Sequence, residues 1–212
     1  IGVVAAITLP SLTGNINERT WNTQRKALYA RMSQAISLMP ALNGFGTVSG
    51  NVNTSSRIDT AAETFVASGL SKVLKINNIC DAEHYADCGL PESINPMTGS
   101  NPITTSEVLT YQNYVMWAGA YGENMIGGLD TKAVALETQN GESILLYYRP
   151  KCKADLNDGD YFNQYDKVCV NMVYDLNGSK GPNTVGKDIG FITVFYPYDP
   201  VVVAPMPLSK DA

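Results

Sequence analysis

Four cysteines and a single histidine are the residues of this chain that offer the clearest chemistry. Cys80 and Cys88 enclose a short acidic loop that contains His84, but their spacing matches no zinc-binding pattern. A disulfide between these neighbouring cysteines explains the loop more simply, and Cys152 and Cys169 are expected to form a second disulfide. Paired cysteines indicate an oxidising compartment, whereas the alternative is buried free thiols in a cytosolic protein.

Two acidic loops offer oxygen atoms of the kind that calcium prefers. Residues 155–160 resemble an EF-hand loop, but their Asp and Gly fall one residue early and no glutamate closes the loop, so no site is expected there. Residues 175–188 place Asp175, Asn177 and Asp188 among glycines that would let the backbone wrap a cation. Because this segment has only two carboxylates, we favour a rigid turn in which these side chains accept hydrogen bonds from their own backbone. We therefore assign no cofactor and keep calcium as the alternative.

The rest of the composition excludes two classes of function. A lone histidine inside a disulfide loop leaves no general base for a serine or cysteine nucleophile, and the chain has no phosphate-binding loop or metal motif. We therefore expect no enzyme and no catalytic residue. Charged residues make up 17% of the chain and the net charge is −5, which excludes nucleic-acid binding through a basic surface. Low charge with many Gly, Asn, Ser and Thr residues suits a secreted surface protein.

The element that positions these residues starts at the N-terminus, with an apolar run at residues 1–12. An amphipathic segment follows without a turn signal, and it predicts a helix over residues 11–39 that ends before Pro40. Such a helix would be about 43 Å long at 1.5 Å per residue. The stripe that is expected to pack on the sheet comprises Trp21, Leu28, Met32, Ala35, Ile36 and Met39. Pro10 either weakens the helix together with Gly2 or marks its first turn.

The apolar run at residues 1–12 is too short to cross a bilayer, which needs about 20 apolar residues, and it lacks the features of a signal peptide. It resembles the end of the N-terminal helix of type IV pilins and the pilin-like pseudopilins. Residues 173–192 resemble a second segment of that family, in which Asp-x-Asn-Gly is followed by Gly-Pro-Asn and Gly-x-Asp. The resemblance is highly specific over residues 1–40 and weak between the two segments.

This resemblance implies a helix that anchors each subunit in the bacterial inner membrane and later packs into the core of a filament. Gly2, Val4, Ile7 and Pro10 are then the assembly residues, since glycine and proline let the helix bend or melt on assembly. The leader cleavage site, the first residues of the mature helix and the glutamate that pairs with a neighbouring N-terminus are missing from the sequence. We therefore expect a truncated or partly represented subunit.

The remainder of the chain predicts a second helix and a small antiparallel sheet. The second helix is expected over residues 60–76 with Asp59 as its N-cap, whereas residues 89–110 are predicted to be an irregular loop. Asn140-Gly141 is a strong hairpin signal. The candidate strands are residues 114–118, 132–138, 143–149, 168–174 and 190–195. The expected fold is α+β, with a long N-terminal α-helix packed on a small antiparallel β-sheet, as in type IV pilins, and held by disulfides.

These features favour a structural subunit of a type IV pilus or pilus-like filament that polymerises through its N-terminal helix. Residues 1–27 would be the protruding helix and residues 28–212 the globular head. The expected partners are further pilin subunits and, through the full-length helix, the inner membrane. The expected location is the bacterial inner membrane before assembly, and an extracellular pilus or periplasmic pseudopilus afterwards.

Two alternatives to a pilus subunit remain open. One is a type II secretion pseudopilin. The other is a minor tip pilin or adhesin that binds a surface or glycan through a group of aromatic residues, namely Tyr111, Tyr114, Trp117 and Tyr121. Burial of these rings in the core is favoured over exposure, because large aromatic side chains are usually buried.

Overall fold

The protein consists of an N-terminal helix and a five-stranded sheet with a small second sheet. The structure is a computed structural model, and it describes residues 2–38, 62–63, 65–81, 83–97, 101–105, 133–148 and 168–195. Side chains of the helix are described from residue 18 onward. The elements are the helix α1 (Gly2–Leu38) and the strands β1 (Ile76–Asp81), β2 (Ser93–Ile94), β3 (Ile103–Thr104), β4 (Ala133–Thr138), β5 (Ser143–Tyr148), β6 (Val168–Asp175) and β7 (Ile189–Phe195). The predicted α+β class is therefore confirmed.

The helix α1 is continuous and runs through Pro10. It includes residues 2–10 as well as the amphipathic segment, and Pro10 is not its first turn. The described part of the predicted stripe is confirmed, with Trp21 partly buried and with four buried residues, Leu28, Met32, Ala35 and Ile36. Met39 lies outside the described residues. Because the buried positions recur every three or four residues, one face of α1 packs on the sheet.

The described residues between positions 62 and 74 do not form the single helix that the sequence predicted. They include a π-helical turn, Phe65–Gly69, and a 3₁₀ turn, Leu70–Lys72, and the chain then enters β1. The apolar side chains of this segment nevertheless pack inward, since Ala62, Phe65, Val66, Leu70 and Leu74 are buried and Val73 is partly buried. Packing of these side chains into the core outweighs helix propensity, which is already low at Gly69 where the winding changes. Asp59 lies outside the described residues.

The main sheet has the strand order β1-β4-β5-β6-β7, and all its neighbouring strands are antiparallel. Four of the predicted strands are confirmed as β4 to β7, and residues 114–118 lie outside the described residues. The predicted hairpin is also confirmed, because Gly141 has a φ of 83° and the Thr138 N–H donates to the Glu142 carbonyl oxygen at 2.8 Å. The sequence missed β1, whose side chains do not alternate between buried and exposed, and the two-residue strands β2 and β3.

Both faces of the main sheet are covered. Even-numbered positions of β4 to β7, such as Leu136 and Met172, pack with α1 and residues 62–74 on what we call the helix-facing side. Odd-numbered positions, such as Leu145 and Val173, pack with residues of the segment 88–103 on the outer side. Successive side chains of a strand point to opposite faces, which explains this division. The outer layer contains β2 and β3, where the sequence predicted only an irregular loop.

Candidate functional site

The predicted disulfide between Cys80 and Cys88 is present, with an S–S distance of 2.09 Å and a Cα–Cα distance of 6.0 Å. It joins β1 to the 3₁₀ turn Tyr85–Cys88 and contributes to the core on the outer side of the sheet. The predicted pair of Cys152 with Cys169 is not described, because Cys152 lies outside the described residues.

His84 lies in the disulfide loop but at its surface. Its Nδ1 atom is 2.8 Å from Asp81 Oδ1, and the two side chains are 64% and 53% exposed. The hydrogen bond to this carboxylate raises the pKa of His84 and lowers the pKa of Asp81. Across the described parts of the chain, no three or more His, Cys, Asp or Glu side chains converge in a way that could hold a metal ion.

The loop between β6 and β7 contains the acidic segment that the sequence singled out. Asp188 is fully buried and accepts hydrogen bonds from the backbone N–H groups of Asn183, at 2.8 Å, and Thr184, at 2.7 Å. The Asn183 backbone has a positive φ of 49°, a conformation that asparagine tolerates better than most residues. Asp188 therefore braces the backbone of its own loop, as the turn interpretation expects.

Asp175 and Asn177 are braced only in part. Asp175 Oδ1 accepts the backbone N–H of Asn177 at 3.1 Å, and Asn177 Nδ2 donates to the Gly181 carbonyl oxygen at 2.9 Å. Their remaining oxygens, Asp175 Oδ2 and Asn177 Oδ1, are buried without a hydrogen-bond partner. Burial raises the pKa of Asp175 to about 7, and the neighbouring charge of Asp188 adds to the rise. Hydrogen bonding from the backbone N–H groups of Asn177 and Gly178 opposes this rise in the pKa of Asp175. Buried acceptors without a donor are uncommon and costly.

Two residues that the sequence analysis missed hold this loop from opposite sides. Asn95, in the outer layer, donates from Nδ2 to the Pro182 carbonyl oxygen at 2.8 Å. Arg25, on α1, donates from Nη2 to the carbonyl oxygens of Gly186, at 2.9 Å, and Lys187, at 2.6 Å. The sequence gives no local signal for either contact, because the partners are 87 to 162 positions apart. The loop is thus where α1, the sheet and the outer layer meet.

Tyr174, near the end of β6, is almost completely buried on the helix-facing side of the sheet. Its pKa is raised by burial, and the nearby Arg25 guanidinium opposes that rise. The hydroxyl oxygen nevertheless makes no hydrogen bond of normal geometry. Its register partner on β7 is Gly190, where an added Cβ would overlap the tyrosine ring and hydroxyl. A glycine is therefore needed at this position for the tyrosine to fit.

The structure gives no side-chain contacts for the remaining predicted site residues. Gly2, Val4, Ile7 and Pro10 all lie within α1, but their side chains are outside the described part of the structure. The four aromatic residues at 111–121 and the EF-hand-like loop at 155–160 also lie outside the described residues.

No family model matches the chain, and no curated protein or solved structure matches it either. The described structure is that of an α+β protein in which one N-terminal helix precedes an antiparallel sheet, with the Cys80–Cys88 disulfide joining the edge strand β1 to the 3₁₀ turn that follows it. This architecture is compatible with a pilin-like fold. Among the described residues, no helix is long and apolar enough to cross a membrane.

Proposed function

We propose that this protein is a structural subunit of a pilus-like filament, in which its N-terminal helix packs against the helices of other subunits. The observation that carries the proposal is the continuity of α1, which joins the apolar run near the N-terminus to the stripe that packs on the sheet. At 1.5 Å per residue, its 37 residues span about 55 Å. A helix of this length is far longer than the usual three or four turns of a globular protein.

The C-terminal half of α1 belongs to the head. Leu28 and Met32 are fully buried in the core on the helix-facing side of the sheet. Arg31 forms an ion pair with the buried Glu142, and Arg25 binds carbonyl oxygens of the loop between β6 and β7. These contacts fix this half of the helix, so a force applied to the helix would be passed to the sheet.

The middle of α1 faces solvent instead. Between residues 18 and 27 only Trp21 and Arg25 are partly buried, and the exposed residues are Glu18, Arg19, Thr20, Asn22, Thr23, Gln24, Lys26 and Ala27. This mostly exposed stretch separates the buried residues Leu28 to Ile36 from the apolar run at residues 2–12. Burying a Val, Leu or Ile side chain of that run against another helix contributes about 1.5–3 kcal/mol. A longer form of the same helix would hold the subunit in the inner membrane before assembly.

Charge substitutions in the apolar run test this proposal in bacteria that carry the full-length gene. Val4→Asp or Ile7→Asp should abolish filaments, because an unpaired charge in an apolar contact is very unfavourable. The matched control is Gln34→Asp, which adds the same charge at an exposed position of the head-bound half of α1 and should leave filaments intact. Electron microscopy counts the filaments, and circular dichroism of each purified variant shows whether the head is folded.

Two results would overturn the proposal. Normal filament numbers in both charged variants would show that the run does not pack in a filament core. Unfolding of the head in both variants would show that the run belongs to the ordinary core of the protein.

A further inference from the structure

Two Asn-Gly pairs of the described structure differ in how firmly their asparagine side chains are held. The pairs are Asn140-Gly141, in the β4–β5 hairpin, and Asn177-Gly178, in the loop between β6 and β7. A third pair, Asn43-Gly44, lies outside the described residues. In an Asn-Gly pair no Cβ of the second residue hinders its backbone nitrogen, which lies next to the side-chain amide carbon of the asparagine. Attack of this nitrogen on that carbon closes a five-membered succinimide ring, so the asparagine is open to spontaneous loss of its amide.

Asn140 and Gly141 lie at the exposed tip of the hairpin. Both residues are exposed, and an ideal Cβ at Gly141 would have no atom within 4 Å. The side-chain amide of Asn140 makes no hydrogen bond with the described residues. The Gly141 N–H donates to the Thr138 carbonyl oxygen at 3.0 Å, and this bond must open before the nitrogen can attack. Opening of an exposed turn is local and needs only a small part of the free energy of global unfolding.

Asn177 and Gly178 are held much more firmly. Asn177 Nδ2 donates to the Gly181 carbonyl oxygen at 2.9 Å, and the Gly178 N–H is hydrogen-bonded to the carboxylate of Asp175. Gly178 is also buried, and an ideal Cβ there would lie 3.3 Å from the Gly89 carbonyl oxygen. Each hydrogen bond that must open slows the reaction roughly two- to tenfold. Because one more bond must break here and the backbone is packed, Asn177 should react at least about ten times more slowly than Asn140.

We propose that Asn140 is a site of spontaneous deamidation in the folded protein, and that the loop between β6 and β7 protects Asn177 from the same reaction. The Gly141 nitrogen forms a bond to Asn140 Cγ while the bond from Cγ to Nδ2 breaks, and the Gly141 N–H proton leaves with the amide as ammonia. Water then opens the ring at either of its two carbonyl groups. One product is aspartate, and the other is isoaspartate, whose backbone contains an additional methylene group. Water is the only co-reactant, and the proposal does not depend on filament assembly.

Isoaspartate at position 140 would disturb the contacts that connect the hairpin to α1. The Thr138 hydroxyl oxygen accepts the backbone N–H groups of Asn140 and Glu142, both at 3.3 Å, and the hydroxyl donates to the Glu142 carboxylate. Arg31 of α1 forms its ion pair with the same carboxylate. An additional backbone methylene displaces the Asn140 N–H or the Glu142 N–H from this hydroxyl. The loss of one such bond should raise the unfolding equilibrium constant roughly two- to tenfold.

Peptide mapping by mass spectrometry tests the site in the full chain, incubated at mildly alkaline pH and body temperature. The deamidated fraction at each Asn-Gly pair is followed over time, and chromatography separates the aspartate product from the isoaspartate product. Asn140 should be converted at least about ten times faster than Asn177. In denaturing urea, where the fold no longer protects either residue, Asn140 and Asn177 should react at comparable rates.

Two variants separate the reaction from its consequence. Asn140→Gln keeps a side-chain amide but would have to close a six-membered ring, which is slow, so conversion at position 140 should stop while that at Asn177 is unchanged. Asn140→Asp supplies the charge without the additional methylene, and its unfolding equilibrium constant should stay within about twofold of the parent. After incubation the urea midpoint of the parent should fall, whereas that of Asn140→Gln should not change.

Absence of conversion at Asn140, or equal rates at Asn140 and Asn177 in the folded protein, would overturn the proposal. So would a slower reaction at Asn177 that persists in urea, because the difference would then come from the neighbouring residues and not from the fold. An unchanged urea midpoint in a parent that carries isoaspartate at position 140 would refute the effect on the hairpin.

Discussion

Replacing Arg31 with methionine should destabilise the protein, because it leaves the buried carboxylate of Glu142 without its cationic partner. Arg31 Nη2 forms an ion pair with Glu142 Oε1, and its Nη1 atom lies 3.4 Å from Oε2. The Thr138 hydroxyl also donates to the same carboxylate. This cluster joins α1 to the β4–β5 hairpin, so its loss should weaken the attachment of the helix to the sheet.

The expected magnitude follows from the exposure of the two partners. The Glu142 side chain is 6% exposed and the Arg31 side chain 32%. Removing one partner of a fully buried pair costs about 3–5 kcal/mol, whereas an exposed pair contributes about 0–1 kcal/mol. Because only one end of this pair is fully buried, and the Thr138 hydrogen bond remains, we expect a loss of about 2 kcal/mol in the free energy of unfolding.

Urea denaturation of the full chain, followed by circular dichroism, measures this loss. With a slope of about 2 kcal/mol per M, the midpoint of Arg31→Met should fall by about 1 M. The double variant Arg31→Met/Glu142→Gln should recover most of the loss, since it removes the stranded charge. Arg19→Met, at an exposed position of α1, is the matched control. The reasoning is refuted if Arg31→Met stays within about 0.5 kcal/mol of the parent, which is the range of ordinary surface substitutions.

Two further predictions concern the disulfide loop. Replacing both Cys80 and Cys88 with alanine should lower the free energy of unfolding by about 2–3 kcal/mol, because the crosslink closes a loop of sequence separation 8 in the unfolded chain. A urea midpoint equal to that of the parent would contradict this. NMR titration should show a raised pKa for His84 in the parent and a pKa nearer its usual range in Asp81→Asn. The same His84 pKa in both proteins would show that the pair does not form in solution. Since the folded pKa of His84 is raised, the pair stabilises the fold below the unfolded pKa, and that contribution is lost as the pH rises through the folded pKa.

Elements that depend mainly on residues close together in the chain could be predicted from the sequence. The stripe from Leu28 to Ile36 recurs at helical spacing, and the strands β4 to β7 show the residue types of half-buried or buried strands. Asn140-Gly141 predicted its hairpin because glycine readily adopts the positive φ that this turn requires. The disulfide between Cys80 and Cys88 could also be predicted, because the two cysteines are close in the chain.

The sequence by itself therefore determined which residues are apolar, where they repeat and where the chain turns, since these properties depend on neighbours along the chain. It also marked Asp175, Asn177 and Asp188 as a group of oxygen-bearing side chains. It could not distinguish the role of Asp188, which braces backbone N–H groups, from that of Asp175, which keeps an unpartnered oxygen.

Only the tertiary structure decided the features that depend on residues far apart in the chain. The strand β1 exists because it pairs with β4 across more than fifty residues, and the outer layer exists because odd-numbered side chains of the sheet need a cover. Arg25 reaches the loop between β6 and β7 only once α1 lies across the sheet. Burial, hydrogen-bond partners and the resulting pKa of Asp175 arise from this packing, because the free energy of a polar group depends on its surroundings and not on its residue type alone.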